Sequence, residues 1–176
     1  MILSKIEILN GNKNGTIVLD GVHEDQIKDQ SVDVSLGEYI MVNNEWINIT
    51  KSYIPPINTF ILAYTDEFIG TSAGSDILPS FKLKSSAARQ GIFHTLARHG
   101  EVGYFNRWAM EFFCMKPIEL QKGLLIGQIY FTVTKGAKNE DYSKSGTYQK
   151  HSNLSDVKKH WTKESIIPPN LKLKSI

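Results

Sequence analysis

The feature that most constrains this chain is its rhythm of short apolar runs broken by turn residues. Residues 5–9, 16–19, 31–36, 39–42, 46–49, 59–64, 91–96, 107–113 and 125–133 are such runs, and several are rich in β-branched and aromatic side chains. Between them stand Asn10-Gly11, Asn14-Gly15, Leu36-Gly37, Asn43-Asn44, Pro55-Pro56, Lys116-Pro117 and Lys122-Gly123. Gly and Asn tolerate left-handed backbone, and Pro lacks an amide donor, so these pairs end strands and open turns. Many short strands at close spacing predict an all-β protein, a barrel or jelly-roll sandwich. Helix signals are few. Residues 85–90 can form one short helix with Ser85 or Ser86 as its cap, and residues 153–163 another before Pro168-Pro169. The last residues, 168–176, read as an extended arm. A sheet protein of this kind has exposed strand edges, which it closes on themselves or buries against a partner, so oligomerisation is expected.

The length of 176 residues suits one domain with an added tail. With 41% hydrophobic and 22% charged residues the chain has enough apolar material for a core. No apolar run approaches the roughly 20 residues that span a bilayer. Residues 1–14 alternate apolar and polar positions without the charged–apolar–small order of a secretory signal, so a cytoplasmic protein is expected. The lone Cys114 excludes an internal disulfide and a cysteine-rich metal site, and reads as a core thiol. His94 and His99 lack a third ligand at suitable spacing, so no protein-held metal is expected. The net charge of +2 is too small to imply nucleic acid. Residues 135–176 hold nine Lys against four Asp or Glu, however, leaving the rest of the chain acidic. A basic end faces solvent or an anion such as a nucleotide phosphate.

Four segments carry candidate chemistry. Lys84-Ser85-Ser86-Ala87-Ala88-Arg89 gathers hydroxyls and cations. If the serines open a helical turn, free amides face an anion, and Arg89 adds a bidentate fork. The same residues would also serve as a plain helix cap with a solvated face. In the stretch 103–113, a glycine turn runs into an aromatic strand that contains Glu111 between Met110 and Phe112-Phe113. A carboxylate on an apolar face is costly unless it is paired or used, and partial desolvation would suit it to general-base work. Its structural alternative is an ion pair with Arg107 or Arg98. In residues 30–37, Asp33 interrupts an apolar alternation and can hold a loop. Residues 142–149 are polar, with two tyrosines and a glycine, and can close over a ligand or be an ordinary surface loop. Trp46 and Trp161 read as packing residues.

Taken in order, these segments resemble the dCTP deaminase family within the trimeric dUTPase-like superfamily. The resemblance rests on Gln30-Ser31-Val32-Asp33-Val34-Ser35-Leu36-Gly37, on Lys84-Ser85-Ser86-Ala87-Ala88-Arg89, and on Gly103-Tyr104 followed by Met110-Glu111-Phe112. It continues in Pro117-Ile118-Glu119-Leu120, Gly123 and Ile126-Gly127-Gln128, and ends in Tyr142 with Gly146-Thr147-Tyr148-Gln149. It covers about residues 28–150; residues 1–27 and 151–176 carry none of it. The family implies a distorted jelly-roll β-barrel, the dUTPase-like β-clip, in a homotrimer with active sites at subunit interfaces. Residues 1–150 would be the nucleotide-binding domain and 151–176 a basic extension. The implied reaction is zinc-free hydrolytic deamination of dCTP to dUTP and ammonia. Zinc deaminases need a Cys-x-x-Cys pair, which one cysteine cannot supply. Mg²⁺ would come with the triphosphate.

By the same resemblance Glu111 is the general base, and Ser85 orients the attacking water. Lys84, Ser86 and Arg89 contact the triphosphate. Ala97 lies by the C4 substituent, Glu101 and Tyr104 by the sugar, and Tyr142, Tyr148 and Gln149 belong to the closing segment. The sequence departs from the family at Lys84, where Arg is usual, at Glu101 in place of Asp, and at Thr147 in place of Lys, whose charge Lys144 or Lys150 would have to replace. The family's Asp-Leu-Arg reads Asp33-Val34-Ser35. Three readings therefore stand open: a deaminase, monofunctional or also cleaving dUTP; a dUTPase or dCTP pyrophosphatase; and a nucleotide-binding trimer without catalysis. Residues 151–176 contain no glycine, unlike the Gly-rich closing motif of ordinary dUTPases.

Overall fold

The computed structural model describes residues 1–136, 142–149 and 151–168; the arm over 169–176 and Lys150 lie outside them. The expected all-β architecture is present. The strands are β1 (Ile17–Asp20), β2 (Val32–Val42), β3 (Glu45–Asn48), β4 (Phe60–Thr65), β5 (Phe68–Thr71), β6 (Ile77–Leu83), β7 (Ile92–His94), β8 (Phe105–Asn106), β9 (Ala109–Cys114) and β10 (Leu125–Val133). Seven of them make the main sheet, in the order β6-β10-β2-β4-β9-β7 with β3 paired to β2, and β1, β5 and β8 make a second sheet. The pairings are antiparallel. The short helix α2 (Ser85–Arg89) links the two end strands, β6 and β7, so the sheet curls into a nearly closed barrel. The predicted runs 31–36 and 39–42 are one long strand with a register shift between Leu36 and Ile40.

The first predicted strand is instead a helix, α1 (Lys5–Lys13). Ser4 and Glu7 form a reciprocal cap: Glu7 accepts from the Ser4 amide at 2.8 Å, and the Ser4 hydroxyl accepts from the Glu7 amide at 3.5 Å. That Ser-x-x-Glu signature outweighs the apolar alternation that follows it. Helix α2 is present, but Lys84 occupies its cap position and no serine side chain caps it. The helix expected over 153–163 is present as α4 (Leu154–His160), while α1 and the further α3 (Tyr142–Ser145) raise the number above the one or two expected. Asn153 caps α4, accepting from the Asp156 amide at 2.9 Å.

The barrel interior is one apolar cluster, with Phe81, Phe112, Phe131, Ile40 and Met110 fully buried. The outer face of the main sheet is also apolar. Residues directly opposite across antiparallel strands share a face, and the register pairs Met41 with Trp46 and Leu62, Leu62 with Glu111, and Phe113 with Phe60 and Phe93. The chain's own C-terminal segment covers half of that face. Trp161, Ile166 and Ile167 pack on Met41, Leu62, Tyr64 and Trp46, so residues 151–168 are docked and are not a solvated tail. The other half stays open, with Phe60 at 44%, Phe93 at 60% and Leu96 at 69% exposure.

Close approach of the small sheet positions the aromatic turn. A Cβ on Gly70 would sit 1.8 Å from the Tyr104 carbonyl oxygen and 2.5 Å from Phe105 Cα, so only glycine lets β8 lie against β5. Gly70→Ala is expected to lower unfolding free energy by about 2–3 kcal/mol through overpacking. Urea denaturation followed by tryptophan fluorescence reads the shift in midpoint.

Candidate functional site

A cavity of about 980 Å³ opens on the outer face of the sheet around Glu111. Strand β9 presents Glu111 there because inward and outward side chains alternate along it, with Met110, Phe112 and Cys114 pointing into the core. The Glu111 Oε2 atom is buried and has no hydrogen-bond partner among the described residues. The ion pair with Arg107 does not form: Arg107 Nη1 meets Asp66 Oδ1 at 3.0 Å instead. Burial pushes the Glu111 carboxyl above its ordinary value of 4.5, and a hydrogen bond to its own backbone only partly offsets this. An unpaired, partly desolvated carboxylate on a cavity wall is a candidate proton acceptor.

Of the other residues singled out in the sequence, Ala97, Glu101, Tyr104, Tyr142 and Tyr148 line the same cavity. Tyr104 packs edge-on against Trp108 at 5.2 Å and Tyr142 at 5.4 Å, and its hydroxyl donates to the Arg107 carbonyl at 3.1 Å. Burial raises its phenol pKa strongly, so it stays neutral. The Tyr142 hydroxyl accepts from the Tyr148 amide at 3.2 Å. Gln149 is placed differently. It is 2% exposed, accepts from the Phe105 amide at 2.7 Å and donates to the Gly103 carbonyl at 2.9 Å. Its amide is spent pinning the 142–149 segment to the glycine-aromatic turn.

The serine turn does not join this cavity. Ser85, Ser86 and Arg89 are exposed at the barrel seam, and Lys84 is tied to Asp33. Within one protomer, then, the carboxylate and the hydroxyl–arginine turn occupy separate surfaces. Among the described residues no three His, Cys, Asp or Glu converge as a metal-binding cluster. No helix among the described residues is long and apolar enough to cross a membrane.

Several cavity residues went unread in the sequence. Trp161, Ser165, Ile166 and Pro168 form a wall contributed by the C-terminal segment. Trp161 lies 4.6 Å from the Tyr64 ring and 6.2 Å from Phe68, and the Arg107 guanidinium stands 4.7 Å over it. The apolar pattern Trp161…Ile166-Ile167 was the available signal. Leu96 adopts a left-handed φ of 72° at the cavity mouth, and its amide donates to His94 Nδ1 at 3.0 Å. His94 is buried, and desolvation lowers its pKa. A non-glycine residue held in that region marks local strain of the kind that collects at functional sites.

The curled antiparallel barrel is a fold seen in solved dUTPase-like structures. The solved structures bear this out at the level of fold. A 2′-deoxycytidine 5′-triphosphate deaminase from Agrobacterium tumefaciens superposes with a TM-score of 0.65 at 17% identity, over 83% of this chain and 53% of that one. The chain thus spans about half the length of that structure. An EIAV dUTPase superposes at 0.51 and 16% identity, over 70% and 93% of the two chains. A family model described as dCTP deaminase-like matches residues 41–134. Among curated relatives, a "dCTP deaminase, dUMP-forming" of Clostridium acetobutylicum is 31% identical over 165 residues, covering 88% of this chain and 94% of the relative. One of the same name from Cytophaga hutchinsonii is 30% identical with the same coverage. The chain belongs to the dCTP deaminase-like family, and it is a hydrolase of the deaminase class.

Trp161→Ala removes the ring that clamps the C-terminal wall to the sheet. Its expected cost is about 3 kcal/mol for loss of a largely packed aromatic side chain. Limited trypsin digestion should then cut at Lys163 faster than in the wild type, with the product identified by mass spectrometry.

Proposed function

We propose that this protein hydrolyses the exocyclic amine from the cytosine ring of dCTP with Glu111 as general base, and carries the product on to dUMP. The observation that carries the reading is Glu111 itself, buried at Oε2, unpaired, and facing the main cavity. Glu111 accepts a proton from water as the water oxygen bonds to C4 of the ring. It passes that proton to the ring nitrogen N3, then takes the remaining proton from the new C4 hydroxyl and delivers it to the amine, so that the C4–N bond breaks, the C4 carbonyl forms and ammonia leaves. Water attack on the α-phosphate of dUTP then releases pyrophosphate. The similarity to dUMP-forming dCTP deaminases supports that second step.

A cavity of this volume accommodates a nucleoside. The stacked surfaces of Tyr104 and Tyr142 suit the sugar and base, and the exposed Ser85, Ser86 and Arg89 suit a triphosphate. Because those two groups stand on separate surfaces of one protomer, the complete site is composed between copies in a homotrimer. The open half of the outer face, with Phe60, Phe93 and Leu96, supplies an apolar surface for that contact. Mg²⁺ enters as part of the substrate, spreading the charge of the phosphates. No residue of this chain is assigned to hold it.

Purified protein incubated with dCTP and Mg²⁺ is expected to release ammonia and pyrophosphate in equal amounts. Ammonia without pyrophosphate restricts the reaction to deamination. Pyrophosphate without ammonia makes the protein a nucleotide diphosphatase, and neither product leaves only binding. Light scattering is expected to give a trimer mass.

Glu111→Gln is expected to lower kcat by about 10²–10⁴-fold. In the wild type the acid limb of the kcat profile should lie above the ordinary carboxylate range, since activity needs the ionised base and burial raises its pKa. The stability effect has the opposite sign. Between the unfolded and the raised folded pKa the native state binds the extra proton, so stability falls as pH rises through that window. Glu111→Gln should therefore raise the melting temperature more at pH 8 than at pH 5, as read by calorimetry.

A further inference from the structure

We infer that Lys84 and Asp33 form an internal strut that positions the serine turn, so that Lys84 is a positioning residue and not a phosphate ligand. This rests on the reading of Ser85, Ser86 and Arg89 as part of the substrate site. Lys84 Nζ stands 2.5 Å from Asp33 Oδ2, with the lysine side chain 20% and the aspartate 2% exposed. The other carboxylate oxygen, Oδ1, accepts from Gln128 Nε2 at 2.9 Å, and the same amide reaches Ser31 Oγ at 3.3 Å. The Asp33 carbonyl accepts from Gln26 Nε2 at 3.0 Å, and that amide also donates to Glu67 at 2.7 Å. Asp33 is therefore fixed at both its side chain and its backbone. The only other cation near its carboxylate among the described residues is Lys28, at 3.8 Å and half exposed.

Lys84 is the residue at which β6 becomes α2. Its amide donates to the Ile126 carbonyl at 2.9 Å, and its own carbonyl accepts from Ala88 at 3.0 Å. With backbone and ammonium both anchored, the direction in which Ser85 and Ser86 leave the sheet is set. Charge leads to the same assignment. A buried aspartate beside a polyphosphate would repel it, and Lys84 cancels that charge locally. The pair is then neutral toward the ligand, and the exposed Arg89 is the cation left to grip phosphate. An ammonium is a point charge and serves this role without the planar fork that a guanidinium offers.

The test compares steady-state dCTP deamination by the wild type with Asp33→Asn, Lys84→Arg and the double variant Asp33→Asn with Lys84→Met. Lys84→Met alone would leave a buried carboxylate unpaired and is at risk of not folding, which the neutral double variant avoids. If the strut orients the turn, Asp33→Asn lowers kcat roughly 10- to 100-fold with little change in KM, because a misplaced hydroxyl hurts the reacting geometry more than ground-state binding. The double variant then matches Asp33→Asn, since both remove one interaction. Lys84→Arg keeps kcat within about threefold because the charge pair survives. If Lys84 instead grips phosphate, Asp33→Asn frees it and lowers KM, while the double variant raises KM at unchanged kcat. Either of those results overturns the strut. An inactive wild type would sink the catalytic reading and the strut together, whereas an active wild type matched by Asp33→Asn sinks the strut alone.

Discussion

One unpaired carboxylate on an otherwise apolar sheet face organises this molecule. Glu111 stands opposite Leu62 on β4, on a surface whose neighbours are Met41, Phe60 and Phe113. Leaving a carboxylate half out of water with no cation beside it is unfavourable, and a chain selected for stability alone would pair it or replace it. The nearest arginine in sequence is withheld by three separate interactions. Arg107 is bonded to Asp66 and lies over Phe68 and Trp161. The same clamp that attaches the C-terminal segment thereby keeps the Arg107 guanidinium from Glu111. In the reaction proposed above, that unpaired carboxylate is the proton acceptor.

The outer face explains the organisation of the rest. A barrel normally directs its apolar side chains inward and polar ones out. Here both faces of β4 and β9 are apolar, because the outer one is itself an interface. Its covered half is closed intramolecularly by residues 161–167, and its open half carries exposed aromatic rings. Glu111 lies at the boundary between the two. A carboxylate there is shielded on one side by the chain's own segment and can be shielded on the other only by something that docks. In the proposed reaction, desolvation of Glu111 is in this way tied to what covers the open side of the face.

Much of this was legible in the residues. Turn pairs such as Asn43-Asn44, which adopt φ of 51° and 67° in the β2–β3 hairpin, announced a meandering antiparallel protein. Strand β10 could be read to its ends at 125–133, because a long alternating run lacks competing signals. The error at α1 had a local cause: four residues of cap chemistry, Ser4 to Glu7, outvote the apolar period of the segment that follows. The strands β5 and β6 went unread because their residues are held by pairing partners far away in sequence. Phe68–Thr71 contains too little pattern of its own, and Ile77–Leu83 contains a proline.

The sequence by itself determined the fold class and the family, since strand period, turn residues and the ordered motifs are local properties. It could also mark Glu111 as anomalous, because a charge among aromatics is visible without coordinates. What only the tertiary structure decided is which of those groups are free to act. Lys84 and Gln149 look like ligand contacts in sequence, and the fold gives them partners of their own, Asp33 and the backbone of Gly103 and Phe105. Trp161 looks like packing and turns out to wall the cavity. The physical reason is that a polar group's availability depends on whether another part of the chain has already satisfied it, and that partner is chosen by the way distant strands come together.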